Sequence, residues 1–180
     1  VLDADDADRI GALAKCAPPL RSAAEREALW AEVAGGRVDL VASDHSPGPP
    51  EMKKGHDMFA VWGGISGAQT MLPLTLTHGG RRGIAAPPRV ELLSSRAAAR
   101  LRLPGKGRLE PGADADVAIV ALGGEHRLTA DELAYRHPHS PFVGQMLGAR
   151  VVRTILRGVT VSGEGATDAA PSGRLVVPVR

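Results

Sequence analysis

The run Val38-Asp39-Leu40-Val41-Ala42 reads as a buried strand, and it breaks into Ser43, Asp44, His45 and Ser46 before Pro47. A carboxylate delivered by the end of a strand can bind a hard or borderline metal, or accept the proton of an attacking water. It can equally cap a loop or a helix, and spacing alone leaves the two roles open. Alternation along a strand turns neighbouring side chains to opposite sides. His45 therefore points away from where Asp44 points and reads as its structural support.

Other clusters are weaker. His137 and His139 in "HPH" stand at i, i+2, which on a strand would share a face, but Pro138 breaks the pattern. The "DADDAD" run over residues 3–8 lacks the glycine and distal glutamate of a calcium loop and reads as the acidic start of a helix. "DAD" at 114–116 reads as turn chemistry before a strand. The single Cys16 can form neither an internal disulfide nor a zinc knuckle, and a reducing compartment is the default.

The elements that must position Asp44 follow from capping and punctuation. The acidic start predicts a helix over 5–14. "KCAPPLR" (15–21) is a rigid extended loop because of its two prolines. Ser22 followed by Glu25 predicts a capping box for a helix ended by Gly35 and Gly36, with Ala28, Leu29 and Val33 on one face. The strand 38–42 comes next, completing the order expected of a parallel α/β sheet. Polar and apolar loops over 46–58 and 59–67 lead to a helix over 68–79, "GGRRG" (79–83) reads as a solvated turn, and a long helix covers 88–103. Beyond residue 103 the texture becomes β-rich. A strand spans 115–121, Thr129 and Glu132 cap a short helix, and two strands within 149–165 join at "RG". The domain expectation is thus 1–103 and 104–180.

With 43% hydrophobic and 23% charged residues, the composition is that of a globular chain. Only 3% are aromatic, so the core is aliphatic. A net charge of +2 with no basic stripe gives no support for nucleic-acid binding, and no apolar run is long enough for a membrane span.

"VASDHSPGPPEMK", "KCAPPLR", "WGGISGAQ", "KGRLEPGADADVAIV" and "LAYRHPHSPFVGQMLGARVVRTILRG" together resemble the cyclic amidohydrolases, and among them the allantoinases. The resemblance implies the C-terminal part of a (β/α)₈ barrel plus part of a small β-sandwich. It implies two divalent metals, often zinc, bridged by a carboxylated lysine and a hydroxide that opens a cyclic amide, allantoin to allantoate. Asp44 matches the aspartate that ligates a metal and shuttles the proton. Ala17, through its backbone, and Gly63 match positions that contact the substrate ring. His137 belongs to the matching pattern and His139 does not.

The bridging lysine and the metal histidines are expected before residue 1. A chain beginning at Val1 is therefore expected to be a fragment, inactive by itself. Expected partners are a small-molecule substrate and, for the parent, further copies of itself as a cytoplasmic homotetramer. Sister readings are a hydantoinase, a dihydropyrimidinase, a dihydroorotase or a non-catalytic scaffold. Ala17 before Pro18, and Gly48-Pro49-Pro50 after Pro47, argue against a dihydroorotase site.

Overall fold

The computed structural model describes residues 1–55, 57–166 and 171–179. His56, in the predicted polar loop, and Arg180, in the closing segment, lie outside the described residues. Contacts group the chain into two compact units that interleave in sequence. The first comprises 1–37, 42–74 and 127–147, and the second 38–41, 75–126 and 148–180. The boundary expected near 103 falls inside the second unit.

In the first unit, helix α1 (Ala4–Ile10) starts from Asp3, whose carboxylate accepts the Asp6 N–H, and continues as a 3₁₀ turn, Gly11–Ala14. Helix α2 (Ala23–Ala34) has the predicted capping box, with Ser22 Oγ accepting from Glu25 N and Glu25 accepting from Ser22 N. Its inward face differs from the expected one. Ala28 and Leu29 are exposed, while Arg26, Trp30 and Val33 are half-buried. The cause is an ion pair, Arg26 to the buried Asp3 at 2.5 Å, which turns the arginine side of the helix inward. The core of this unit is Leu2, Leu74, Leu128, Leu133, Phe142 and Leu147, with Ile10, Leu20, Ile65 and Tyr135 packed against it.

Helix α3 (Met71–Arg81) runs through Gly79 and Gly80, so the first part of the predicted solvated turn is helical. Pro73 sits in its first turn, where a missing N–H costs nothing. The single helix predicted over 88–103 is two short ones, α4 (Ala86–Glu91) and α5 (Ser95–Arg100). Ser94 is the break: its backbone leaves the helical region at φ −131°, and its hydroxyl donates to Val90 O at 2.7 Å. A serine bonding its own backbone competes with helix continuation.

Strands β1 (Val117–Arg127), β2 (Met146–Leu156) and β3 (Val159–Gly163) form one sheet in that order. β2 and β3 are antiparallel with Leu156 opposite Val159, and Arg157 and Gly158 both have positive φ, as a tight hairpin of right-handed twist needs. Thr129 and Glu132 form the predicted cap, on a 3₁₀ turn over Ala130–Glu132. The predicted strand 38–42 is not a ladder strand. Val41 N donates to Leu92 O, and the described sheet contains only β1, β2 and β3. A strand exists by exchanging main-chain bonds with a neighbour, and no described strand lies beside this segment. The three-stranded sheet does not close a barrel among the described residues. No helix among them is long and apolar enough to cross a membrane.

Candidate functional site

Three loops of the first unit meet around Asp44: 12–20, 43–53 and 57–69. Asp44 itself is exposed and has φ +42°, the left-handed region that a non-glycine residue rarely adopts. Aspartate tolerates that conformation better than most residues, and a strained backbone held in place points to a site. The surroundings hold it. The Ser46 hydroxyl donates to Asp44 O at 3.0 Å, and the Ser46 N–H donates to Ile65 O at 3.0 Å. The Trp62 indole donates to Ser46 O at 2.8 Å. Two glycines allow this approach: a Cβ on Gly64 would collide with Ser46 O, and one on Gly67 would come 2.8 Å from Ser43 O.

His45 is tied to the turn that leads into α3. Its Nδ1 accepts the N–H groups of Gly67 and Ala68 at 3.1 and 3.2 Å, which puts the ring proton of the neutral form on Nε2. The ring lies 4.7 Å from that of Tyr135 at a tilt of 55°. Tyr135 Oη in turn accepts the Gln69 N–H at 2.8 Å, and the Gln69 amide bonds Glu132 O and Ala134 N. Burial pushes the Tyr135 phenol up, against the hydrogen bonds from Gln69 and Thr70.

Ala17 and Gly63 come together. A Cβ built on Gly63 would stand 3.3 Å from the Ala17 Cβ and 3.7 Å from its backbone nitrogen. The Ala17–Pro18 peptide is cis. Cys16, next to Ala17, feels the charge of Asp44. Burial pushes its thiol up and the Asp44 carboxylate adds to that, while the Lys53 ammonium and the main chain at Leu20 act the other way. So Asp44, Ala17 and Gly63 belong to one loop cluster.

Of the two histidines in "HPH", His139 is fixed in this cluster: its Nε2 is 2.8 Å from Gly48 O, and its carbonyl accepts the Ser66 hydroxyl at 3.0 Å. Among the described residues, no three His, Cys, Asp or Glu side chains gather as a metal-binding group. The described residues therefore do not by themselves fit a metal pair.

Lys15, Lys53, Gln69 and Tyr135 are not marked by residue spacing, although each lies inside one of the motifs quoted above. Their partners are main-chain atoms or distant residues, which a linear pattern does not display. "DAD" at 114–116 belongs to the second unit. Lys106 pairs there with Asp114 at 2.8 Å and with Asp116, and Asp116 accepts the Arg157 N–H.

No family model matches the chain. It is 54% identical to an allantoinase of Rubrobacter xylanophilus over 98% of its own length and 39% of that protein. It is 47% identical to an allantoinase of Deinococcus radiodurans, over 97% of its length and 39% of the relative. The structure resembles an L-hydantoinase (dihydropyrimidinase) from Arthrobacter aurescens with a TM-score of 0.85 and 34% identity, covering 93% of this chain and 38% of that one. Over the residues it spans, the chain is thus similar in sequence and in fold to cyclic amidohydrolases. Within that class its sequence relatives at 41–54% identity are allantoinases, and the chain spans about 39% of their length.

Proposed function

We propose that this chain is the portion of an allantoin-opening amidohydrolase that supplies the general base and one wall of the substrate site. The observation that carries the reading is the loop cluster itself. Asp44, held at positive φ, shares it with the adjacent Ala17 and Gly63, in a chain more than half identical to an allantoinase.

The step is amide hydrolysis. Water adds to the ring carbonyl carbon, the ring C–N bond breaks, and the proton lost by the water goes through the Asp44 carboxylate to the leaving nitrogen. The backbones at Ala17 and Gly63 orient the ring through its carbonyl and amide groups. Gly63 suits close approach because it has no side chain. His45 supports the aspartate, with Gly67 and Ala68 N–H groups fixing its ring. A divalent metal pair, zinc in this reading, would supply activation of the water when bound. Its remaining ligands, a carboxylated lysine among them, would lie in the part of the relatives' length that this chain does not span. The missing neighbours of segment 38–42 would lie there too, as strands of a (β/α)₈ barrel. The complete enzyme is read as a cytoplasmic homo-oligomer.

The likeness to an L-hydantoinase favours hydantoin as the second candidate substrate. The complete enzyme, loaded with zinc and offered allantoin, hydantoin, a dihydropyrimidine and dihydroorotate, separates the readings by kcat/KM. Allantoin is expected to lead by about tenfold or more. A lead for hydantoin would transfer the chain to the sister activity.

A further inference from the structure

Lys53 is a cation in a place where cations are costly. Its side chain is buried at 6% exposure, and its Nζ donates to Ala12 O at 3.2 Å and to Lys15 O at 2.9 Å. No carboxylate among the described residues pairs with it. Burying an ammonium away from a counter-ion is unfavourable unless strong hydrogen bonds compensate. Burial and the nearby Lys15 push this ammonium's pKa down, with only the Cys16 thiol acting the other way. A methionine would fill the space without that penalty, so the position asks what the charge does.

Its partners answer. The two carbonyls it holds bracket the turn that leads directly into Cys16 and Ala17. The second lysine continues the chain of contacts: Lys15 Nζ donates to Val61 O at 2.6 Å, two residues before Gly63. The residue beside Lys53 closes the ring, because Met52 O accepts the Trp62 N–H at 2.9 Å. Lys53 therefore ties its own loop to the 12–20 loop, and Lys15 and the Met52 carbonyl extend that tie to the 57–69 loop, so the linked loops carry the two backbone positions that stand side by side, Ala17 and Gly63.

We infer that Lys53 is a positioning residue which, with Lys15, sets the spacing of the Ala17 and Gly63 backbones and so governs affinity for the cyclic amide rather than the rate of ring opening. This rests on the proposed role of those two backbones in binding the ring. Lys53 bonds main-chain carbonyls and not Asp44, and acts through the loops.

The test uses Lys53→Met, which keeps the length and apolar stem and removes the charge. In the complete enzyme, KM for allantoin is expected to rise about tenfold or more while kcat stays within about threefold, the pattern of lost uniform binding. An unchanged KM, or a loss of kcat equal to the rise in KM, would overturn the inference. A second readout does not need activity. Amide hydrogen exchange of the same variant is expected to speed up at residues 12–17 and 61–63 together, with α2 unaffected. Changes confined to the immediate neighbours of residue 53 would overturn the inference as well. If the unaltered complete enzyme opens no cyclic amide, the functional reading fails, and the exchange readout still decides whether Lys53 ties the loops.

Discussion

At the scale of single residues, the site is built from backbone placements more than from side-chain pairs. Asp44 shows why part of it was legible. An aspartate after an apolar run, followed by His45 and Pro47, is marked as a candidate by its residue types, while the choice between capping and proton transfer came from the family resemblance. The supports of Asp44 were not legible, because Ser46, Ile65, Trp62 and Gly64 meet through main-chain atoms. Gly64 gives the sharpest structural prediction. Gly64→Ala would drive a methyl into Ser46 O, and overpacking of this kind costs about 1–3 kcal/mol. Urea unfolding of the variant checks it. Cys16 gives a chemical one. Burial and Asp44 hold its thiol above the ordinary range, so the reactive thiolate is scarce at neutral pH. Iodoacetamide labelling is expected to be slow near pH 7 and to speed up in alkali. Asp44→Asn should quicken it by removing a negative neighbour.

At the scale of elements, local chemistry predicted what is local. The Ser22–Glu25 box, the Thr129–Glu132 cap and the Arg157-Gly158 hairpin all depend on residues within a few positions of one another, and each is present. What depended on distant partners went differently. Segment 38–42 has a strand's composition but no described strand beside it, and helix α2 turns its Arg26 side inward because Asp3, far away in sequence, attracts it. Helices α4 and α5 parted at Ser94 even though the apolar spacing ran on across it. The cap of α2 makes the prediction at this scale. Ser22→Ala removes the acceptor for Glu25 N and should lower stability by about 1 kcal/mol, seen as a lower urea midpoint with unchanged slope.

At the scale of the whole molecule, the described residues form two compact units, each with its own polar anchor. In the second unit, the Lys106 ammonium holds the Asp116 carboxyl below its ordinary 3.8, helped by the Arg157 N–H. Asp114 is held down by Lys106 and Arg174. Because these folded-state values are depressed, their stabilisation is complete above pH 3.8 and is lost as the pH falls through the lowered values. Lys106 is raised from 10.5 by the same partners, so its share is complete below that pH and lost only as the pH rises through the raised value. The Lys106→Met variant should therefore lose the acid part of this dependence, which carboxyl NMR titration of Asp114 and Asp116 would show as a return toward ordinary values.

The proposed metal pair needs ligands from more than this chain. Zinc titration of the 180-residue chain is expected to show no tightly bound pair.

The proposed proton transfer by Asp44 in opening a cyclic amide is tested by steady-state kinetics of the complete enzyme on allantoin with Asp44→Asn. Loss of a positioned general base predicts a fall in kcat of about 10²–10⁴-fold, with more if metal is lost too. A variant that opens allantoin at the unaltered rate would contradict the account.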